Sequence, residues 1–187
     1  MKTIGVLGLQ GDFEKHARAV ERAGARALIL VSPEEIDRID GLIIPGGEST
    51  TIGKLMVSFM LLEPLRERIK AGMPVFGTCA GMILLADRIT SSIQPRIGLL
   101  DIEVNRNAYG RQIESFEADV PVSFTHGNVR GVFIRAPQIV EVGPSVSVLG
   151  VFEQIPVIVR QDNILACSFH PELTEETRIH EYYLSMA

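Results

Sequence analysis

Cys79 lies between two glycines, where a buried apolar run gives way to a helical pattern. Gly77 and Gly81 stand two residues to either side, the spacing of the strand-turn-helix motif that presents a catalytic nucleophile. Glycines remove side chains that would collide in so sharp a turn, and the start of the helix favours a thiolate. The pattern predicts a nucleophilic cysteine; the alternative is a small core cysteine.

His170 and Glu172 could activate that thiol. Residues 164–169 are apolar and predict a strand, so His170 follows the strand end, where active sites collect in parallel α/β sheets. Glu172 could hold the imidazole in one tautomer and stabilise its cation. Each side chain alone also fits a solvated loop, but their occurrence together with the Cys79 motif favours a Cys-His-Glu triad.

Gly46 and Gly47 follow another buried run at residues 41–44. Such a turn can direct backbone N–H groups at a developing oxyanion, and the N–H of Ala80, next to the nucleophile, would complete the hole. The same residues also fit an ordinary turn between a strand and a helix. Because acyl transfer requires an oxyanion hole, their combination with Cys79 predicts one here.

Three charged residues could bind the two charged ends of a free amino acid. Glu48 directly follows the glycine pair and could meet the ammonium group, while Arg106 and Arg135 lie at predicted turns and could grip the carboxylate. For either arginine alone, the alternative is a solvated surface position.

Other residues of types that are often catalytic or ligand-binding fit ordinary core or surface positions. Cys167 has apolar neighbours and is predicted to be a core residue, and His16, His126 and His180 fit solvated helix or loop positions. The chain has no Cys-x-x-Cys and no clustered histidine pair, so no metal site is expected. The glycines match neither the phosphate-loop nor the dinucleotide spacing, so no cofactor is expected.

Composition limits the class of protein. The 187 residues suit one domain, 1–187, and 46% hydrophobic with 22% charged residues is typical of globular chains. A net charge of -5 with scattered basic residues indicates neither nucleic acid nor a lipid surface as a partner. No run approaches the ~20 apolar residues of a membrane span. With two cysteines and no recognisable secretion signal, a cytoplasmic location is expected.

The elements that must position these residues alternate along the first half, as in a parallel sheet covered by helices. Strands are predicted at residues 3–9, 27–31, 41–44 and 74–77. Helices are predicted at residues 13–24 and 80–88. Another helix is predicted to start with Ser32 as its N-cap, and a helical region that follows residues 41–44 is predicted to end at residue 68.

The second half is richer in Val, Ile and Phe, with turn signals that indicate antiparallel strands. A last helix is predicted at residues 173–186 with Thr174 as its N-cap, and residues 89–98 are predicted to form a surface loop.

Gln10 follows the first predicted strand, on the sheet edge expected to carry Cys79. It could contact both the Gly46-Gly47 turn and a protein partner, and so act as a switch that completes the oxyanion hole on docking. The alternative is that Gln10 merely ends a strand.

These segments resemble the triad, or class I, glutamine amidotransferases, which carry a Gly-Gly loop, a Gly-x-Cys-x-Gly elbow and a terminal His-Pro-Glu in that order. The likeness is finer to the branch that serves pyridoxal 5'-phosphate synthase, chiefly through Asn107-Ala108-Tyr109-Gly110-Arg111. The matching segments are residues 9–12, 45–51, 79–86, 106–112, 133–137 and 169–173.

The resemblance implies a flavodoxin-like three-layer α/β/α sandwich, with a mostly parallel central sheet and antiparallel additions in the C-terminal half. It implies that the triad hydrolyses L-glutamine to L-glutamate and that ammonia passes to a separate barrel-shaped synthase subunit. The implied substrate contacts are Gly47, Glu48, Ser49, Arg106, Ile134 and Arg135.

Two kinds of alternative function remain open. Within the fold, the chain could serve another synthase, such as that for imidazole glycerol phosphate, or hydrolyse gamma-glutamyl peptides. From another class, it could be a catalytically silent α/β module that keeps the elbow only as scaffold.

Overall fold

A computed structural model describes residues 1–106 and 115–187 of the chain. Its first half alternates strands with helices, as the sequence predicts. The strands are β1 (Thr3–Leu7), β2 (Arg26–Leu30), β3 (Gly41–Ile44), β4 (Val75–Thr78) and β5 (Ala86–Ile89). The helices are α1 (Phe13–Arg22), α2 (Ser49–Ser58), α3 (Leu62–Lys70) and α4 (Ala80–Leu85), with a 3-10 helix at Pro33–Arg38.

The second half is dominated by strands. They are β6 (Leu100–Asn105), β7 (Ser115–Pro121), β8 (Asn128–Ile134), β9 (Gln138–Val142), β10 (Ser147–Phe152), β11 (Ile155–Gln161) and β12 (Ile164–Cys167). A 3-10 helix at Pro171–Leu173 and the helix α5 (Arg178–Met186) complete the chain.

Seven strands form the central sheet in the order β10-β11-β12-β4-β3-β1-β2. The five strands from β12 to β2 are parallel, whereas β11 and β10 are antiparallel additions. Parallel pairing aligns the strand ends, with Cys167 opposite Thr78 and Ile44 opposite Gly77. The loops that follow β1, β3, β4 and β12 therefore meet at one edge of the sheet.

Helices cover both faces of this sheet, because successive strand residues point to opposite sides. Leu42 and Ile44 pack with Met56 and Leu65 of α2 and α3. Ile43, between them, packs instead with α1 and α5, whose Tyr183 also donates a hydrogen bond to the carbonyl of Leu42 at 2.9 Å. The predicted three-layer α/β/α sandwich, with antiparallel strands added in the C-terminal half, is confirmed.

Two smaller sheets flank the main one. β5 pairs in parallel with β6, which pairs antiparallel with β9, and β7 and β8 form an antiparallel pair. No helix among the described residues has the length and apolar character needed to cross a membrane.

Some predicted bounds were wrong. The helix that starts at Ala80 ends at Leu85 rather than residue 88, because Ala86 turns to an extended conformation and begins β5. The last helix begins at Arg178; Thr174, the predicted cap, instead ends the short 3-10 helix before it. By contrast, the capping box at Ser32 is present.

The prediction of a surface loop at residues 89–98 was also wrong in part. Most of the segment lacks regular structure, but Gln94 and Ile97 are buried. Gly53 of α2 explains the close packing: a β-carbon there would lie 2.3 Å from the carbonyl oxygen of Pro95. The loop therefore lies directly against α2 and reaches toward the strand ends.

Candidate active site

Cys79 occupies the sharp turn between β4 and α4. Its backbone has φ 49° and ψ -104°, a conformation that residues with a side chain rarely adopt. A β-carbon on Gly77 would lie 2.7 Å from the backbone of Gly81, and one on Gly81 would lie 2.0 Å from the carbonyl oxygen of Ile44. The two glycines are thus required by close backbone packing, and the turn presents Cys79 at the edge of the sheet.

His170 and Glu172 form a buried pair beside Cys79. Nδ1 of His170 lies 2.7 Å from Oε1 of Glu172, and His170 lines the same cavity as Cys79. Burial lowers the pKa of His170, but the bonds to Cys79 and Glu172 outweigh it and raise the pKa to about 10. The arrangement favours an imidazolium that is held by a carboxylate and stabilises a neighbouring thiolate.

His16 is fully buried against Glu172, so its predicted solvated position was wrong. Its Nε2 lies 3.3 Å from Oε2 of Glu172 and 3.0 Å from Oγ1 of Thr78. Its Nδ1 lies 3.2 Å from Nε2 of His180, which is buried as well and was also predicted to be solvated. Both histidines are buried because α1 and α5 pack on the sheet with the faces that carry them.

Sequence reasoning could have found His16. It stands three and four residues before Ala19 and Val20, the other buried residues of α1, and so lies on the same helical face. A histidine on that face must find a partner or remain neutral, because burial lowers the pKa of His16.

Gly46 and Gly47, which follow β3, lie close to the side chains of His170 and Gln10. A β-carbon on Gly46 would lie 2.3 Å from Cε1 of His170, and one on Gly47 would lie 2.4 Å from Oε1 of Gln10. Gly47 also has φ 154°. Ala80 is the first residue of α4, so its N–H has no acceptor within the helix.

Gln10 touches the turn as the sequence suggested it could. Its Oε1 accepts a hydrogen bond from the backbone N–H of Glu48 at 2.8 Å. Next to it, a β-carbon on Gly11 would lie 1.8 Å from the carbonyl oxygen of Gly46. The loop after β1 and the turn after β3 are therefore in direct backbone contact.

Glu48 is the N-cap of α2. Its carboxylate accepts hydrogen bonds from the N–H groups of Thr50 at 3.1 Å and Thr51 at 2.7 Å. The hydroxyl of Thr51, together with these N–H groups, lowers the pKa of Glu48 to about 2 despite partial desolvation. Glu48 is thus a fixed anion at the cavity wall.

Arg106 approaches the same wall from the end of β6. Its Nη2 lies 3.3 Å from Oε1 of Glu48, and its Nη1 donates to Oε1 of Gln94 at 2.7 Å and to Oγ1 of Thr50 at 3.1 Å. The rest of the predicted Arg106–Gln112 signature lies outside the described residues.

Gln94 is a buried residue that sequence reasoning missed. Its Oε1 also accepts from the hydroxyls of Thr50 and Ser49, at 3.2 and 3.4 Å. No sequence signal pointed to it, because its burial depends on how the loop packs on α2 rather than on local periodicity.

Ile134 and Arg135 reach the cavity because β8 lies beside the triad. The N–H of His170 donates to the carbonyl of Val132 in β8 at 2.8 Å. Two and three residues later come Ile134, which is 36% exposed, and Arg135, whose φ is 42°. Among the described residues, no acidic side chain forms an ion pair with Arg135.

One cavity of about 520 Å³ collects most of the predicted site residues. Those lining it are Gln10, Gly46, Gly47, Glu48, Ser49, Cys79, Arg106, Ile134, Arg135 and His170. Glu172 lies behind His170 rather than at the wall, and Ala80 does not line the cavity either; Gly11, Asp12 and Ile83 line it without having been predicted. Cys167 is buried, as predicted for a core residue.

Comparisons with known proteins identify relatives of this chain. A family profile described as the SNO glutamine amidotransferase family matches residues 6–187. A protein of Carboxydothermus hydrogenoformans named pyridoxal 5'-phosphate synthase subunit PdxT is 57% identical over 182 residues, covering 97% of this chain and 95% of its own. A protein of the same name from Thermosipho africanus is 51% identical over 183 residues, covering 98% and 97%.

Solved structures give a matching result. A chain described as the crystal structure of glutamine amidotransferase is 48% identical, with a TM-score of 0.94, covering 98% of this chain and 97% of its own. The structure of PurLQS from Thermotoga maritima is 17% identical with a TM-score of 0.75, covering 99% of each chain, and so shares the fold alone.

Proposed function

Because this chain belongs to the SNO glutamine amidotransferase family, we propose that Cys79, His170 and Glu172 are the triad with which it hydrolyses L-glutamine to L-glutamate and ammonia. The observation that carries the assignment of these residues is their arrangement at one cavity. His170 shares the cavity with Cys79, whose interaction raises the pKa of His170, and on its other side it lies 2.7 Å from the Glu172 carboxylate. This is the order of contacts that a nucleophile, a base and an orienting group require.

The reaction is an acyl transfer in two steps. The Cys79 thiolate attacks the side-chain amide carbon of glutamine, and the resulting oxyanion is bound by backbone N–H groups of the Gly46-Gly47 turn and Ala80. The His170 imidazolium gives its proton to the departing nitrogen, so ammonia leaves and a thioester remains. The now neutral His170 takes a proton from water, whose oxygen attacks the thioester and releases glutamate and the thiolate.

The charged residues of the cavity wall would orient the substrate. Arg135 has no ion-pair partner among the described residues, so it is the stronger candidate for the glutamine carboxylate. Glu48 would meet the ammonium group, but it shares its charge with Arg106 and with the start of α2. Gly47, Ser49 and Ile134 lie along the same wall and would complete the pocket.

The ammonia serves the synthesis of pyridoxal 5'-phosphate. Relatives more than half identical over nearly the whole chain are named subunits of pyridoxal 5'-phosphate synthase. We infer that the receiving partner is the barrel-shaped synthase subunit and that the two work in the cytoplasm. Neither a cofactor of its own nor a nucleic-acid partner is part of this proposal.

Covalent labelling tests the triad. The complete chain, mixed with its synthase partner, is treated with 6-diazo-5-oxo-norleucine, an electrophile shaped like glutamine, and the modified peptide is identified by mass spectrometry. The label is expected on Cys79 with loss of glutamate release, whereas Cys167, which is fully buried and does not line the cavity, serves as an internal control. Cys79→Ala should have no glutaminase activity and Cys167→Ala should keep it; retained activity in Cys79→Ala would refute the assignment.

A further inference from the structure

The Glu172 carboxylate is contacted from two sides, and the proposed mechanism uses only one. Oε1 faces His170 at 2.7 Å, while Oε2 lies 3.3 Å from Nε2 of His16, with both the His16 and Glu172 side chains fully buried. The second approach is a close charge contact rather than a hydrogen bond, since Oε2 of Glu172 has no hydrogen-bond partner among the described residues, and the same His16 nitrogen lies 3.0 Å from Oγ1 of Thr78. His16 is therefore shared between the triad carboxylate and the residue that precedes Cys79.

His180 determines which nitrogen of His16 carries the proton. Burial lowers the pKa of both rings, that of His180 to about 3, so each is neutral with a single N–H. Nδ1 of His180 has no hydrogen-bond partner among the described residues, and an unpaired nitrogen lone pair is a better fit there than an unpaired N–H. The His180 proton therefore sits on Nε2 and is donated to Nδ1 of His16 at 3.2 Å.

This assignment leaves the His16 proton on Nε2, where it is directed toward Thr78 and Glu172. A neutral donor at that place can fix the carboxylate without neutralising it. A cation there would compete with the His170 imidazolium for the same charge.

We propose that His16 is a positioning residue for the triad, holding Glu172 against His170 and tying it to the Cys79 elbow through Thr78. The inference rests on the proposed function and adds to it a member supplied by α1. In metal sites, removing the hydrogen-bond partner behind a ligand costs about tenfold to a hundredfold in affinity or activity, and we expect a similar loss here. Because His16 does not line the cavity, its loss should act on turnover and leave glutamine binding nearly unchanged.

The test compares four variants of the complete chain assayed with the synthase partner. His16→Leu removes the donor, and His16→Gln places an amide N–H near the position of Nε2. His16→Asn has an amide too short to reach it. Val20→Ala, on the same buried face of α1, weakens packing without touching Glu172. Steady-state glutamate release gives kcat and KM, and thermal unfolding is measured for each.

His16→Leu should lower kcat at least about tenfold with KM within about twofold, and His16→Gln should recover most of the loss. Val20→Ala should lower the unfolding temperature and keep kcat. If His16→Leu does not fold, comparing the kcat of His16→Asn with that of His16→Gln tests the same contact. Full kcat in His16→Leu, equal kcat in the Gln and Asn variants, or an equal loss in Val20→Ala would overturn the inference. If Cys79→Ala retained activity, the proposed function itself would fail instead.

Discussion

Gln10 and Glu48 are joined side chain to backbone: Oε1 of Gln10 accepts the hydrogen bond of the Glu48 N–H at 2.8 Å. This bond takes up one N–H of the turn beside the oxyanion position and packs Gln10 on the Cα of Gly47. A change in the loop after β1 is thus transmitted directly to the turn after β3.

We expect the isolated chain to release glutamate slowly and the synthase partner to accelerate it, with Gln10→Ala reducing that acceleration. The reason is that a glycine turn reorients at low cost and Gln10 holds one of its N–H groups. Glutamate release is measured with and without the partner. Gln10→Glu, which keeps an acceptor oxygen, is the matched control. Full activity in the isolated chain would refute partner gating, and normal acceleration of Gln10→Ala would remove Gln10 from the switch.

The pKa of His170 should fall when Glu172 is replaced by Gln. Burial lowers that pKa, and the bonds to Cys79 and Glu172 raise it to about 10, so loss of the carboxylate removes one of the two causes of the rise. A raised pKa stabilises the fold below the unfolded value, and this contribution is lost as pH rises through about 10. Histidine NMR shifts followed against pH, with exposed His126 as reference, report the midpoint. Equal midpoints in both proteins would show that Glu172 does not hold the imidazolium.

Glu48→Gln should lower the free energy of unfolding by about 1 kcal/mol near neutral pH, as expected for a weakened N-cap. The depressed pKa of Glu48 means that its contribution is present above 4.5 and is lost as pH falls toward about 2. Urea unfolding of the two proteins should therefore differ at neutral pH and converge in acid. Glu14→Gln, the same change in the first turn of α1, is the control; a pH-independent difference would contradict the assignment.

Gln94→Leu should raise KM for glutamine roughly tenfold with little change in kcat, since Arg106 loses its shortest bond and its guanidinium is no longer fixed. The pair is 2.7 Å apart and lies away from the reacting atoms. Ile93→Ala, at the fully exposed neighbouring position, is the control and should leave KM and kcat unchanged. If KM stays unchanged in Gln94→Leu, Arg106 does not depend on Gln94 for its position.

Short-range signals were sufficient for the elbow and the sheet. The glycines around Cys79 are dictated by contacts with Gly81 and Ile44, so the local motif and the three-dimensional requirement coincide. Alternating apolar runs and helical stretches likewise predicted the parallel half of the sheet, because the runs of β1, β3 and β4 are buried on both faces.

Long-range packing decided the features that were missed. His16 and His180 are 164 residues apart along the chain and meet only because α1 and α5 cover the same face. Gln94 is buried because its loop lies on α2, where Gly53 leaves room. Helical spacing with Ala19 and Val20 indicates that His16 is buried, but no local pattern identifies the distant partner of His16 or of Gln94.

The left-handed backbone of Cys79 has a consequence for how such a chain can vary. A side chain at φ 49° opposes folding by roughly 1 to 2 kcal/mol, a penalty that glycine at the same position would avoid. Stability and turnover therefore select different residues at this one position. A mutational screen that scored only soluble, heat-resistant protein would favour Cys79→Gly and so discard the proposed nucleophile.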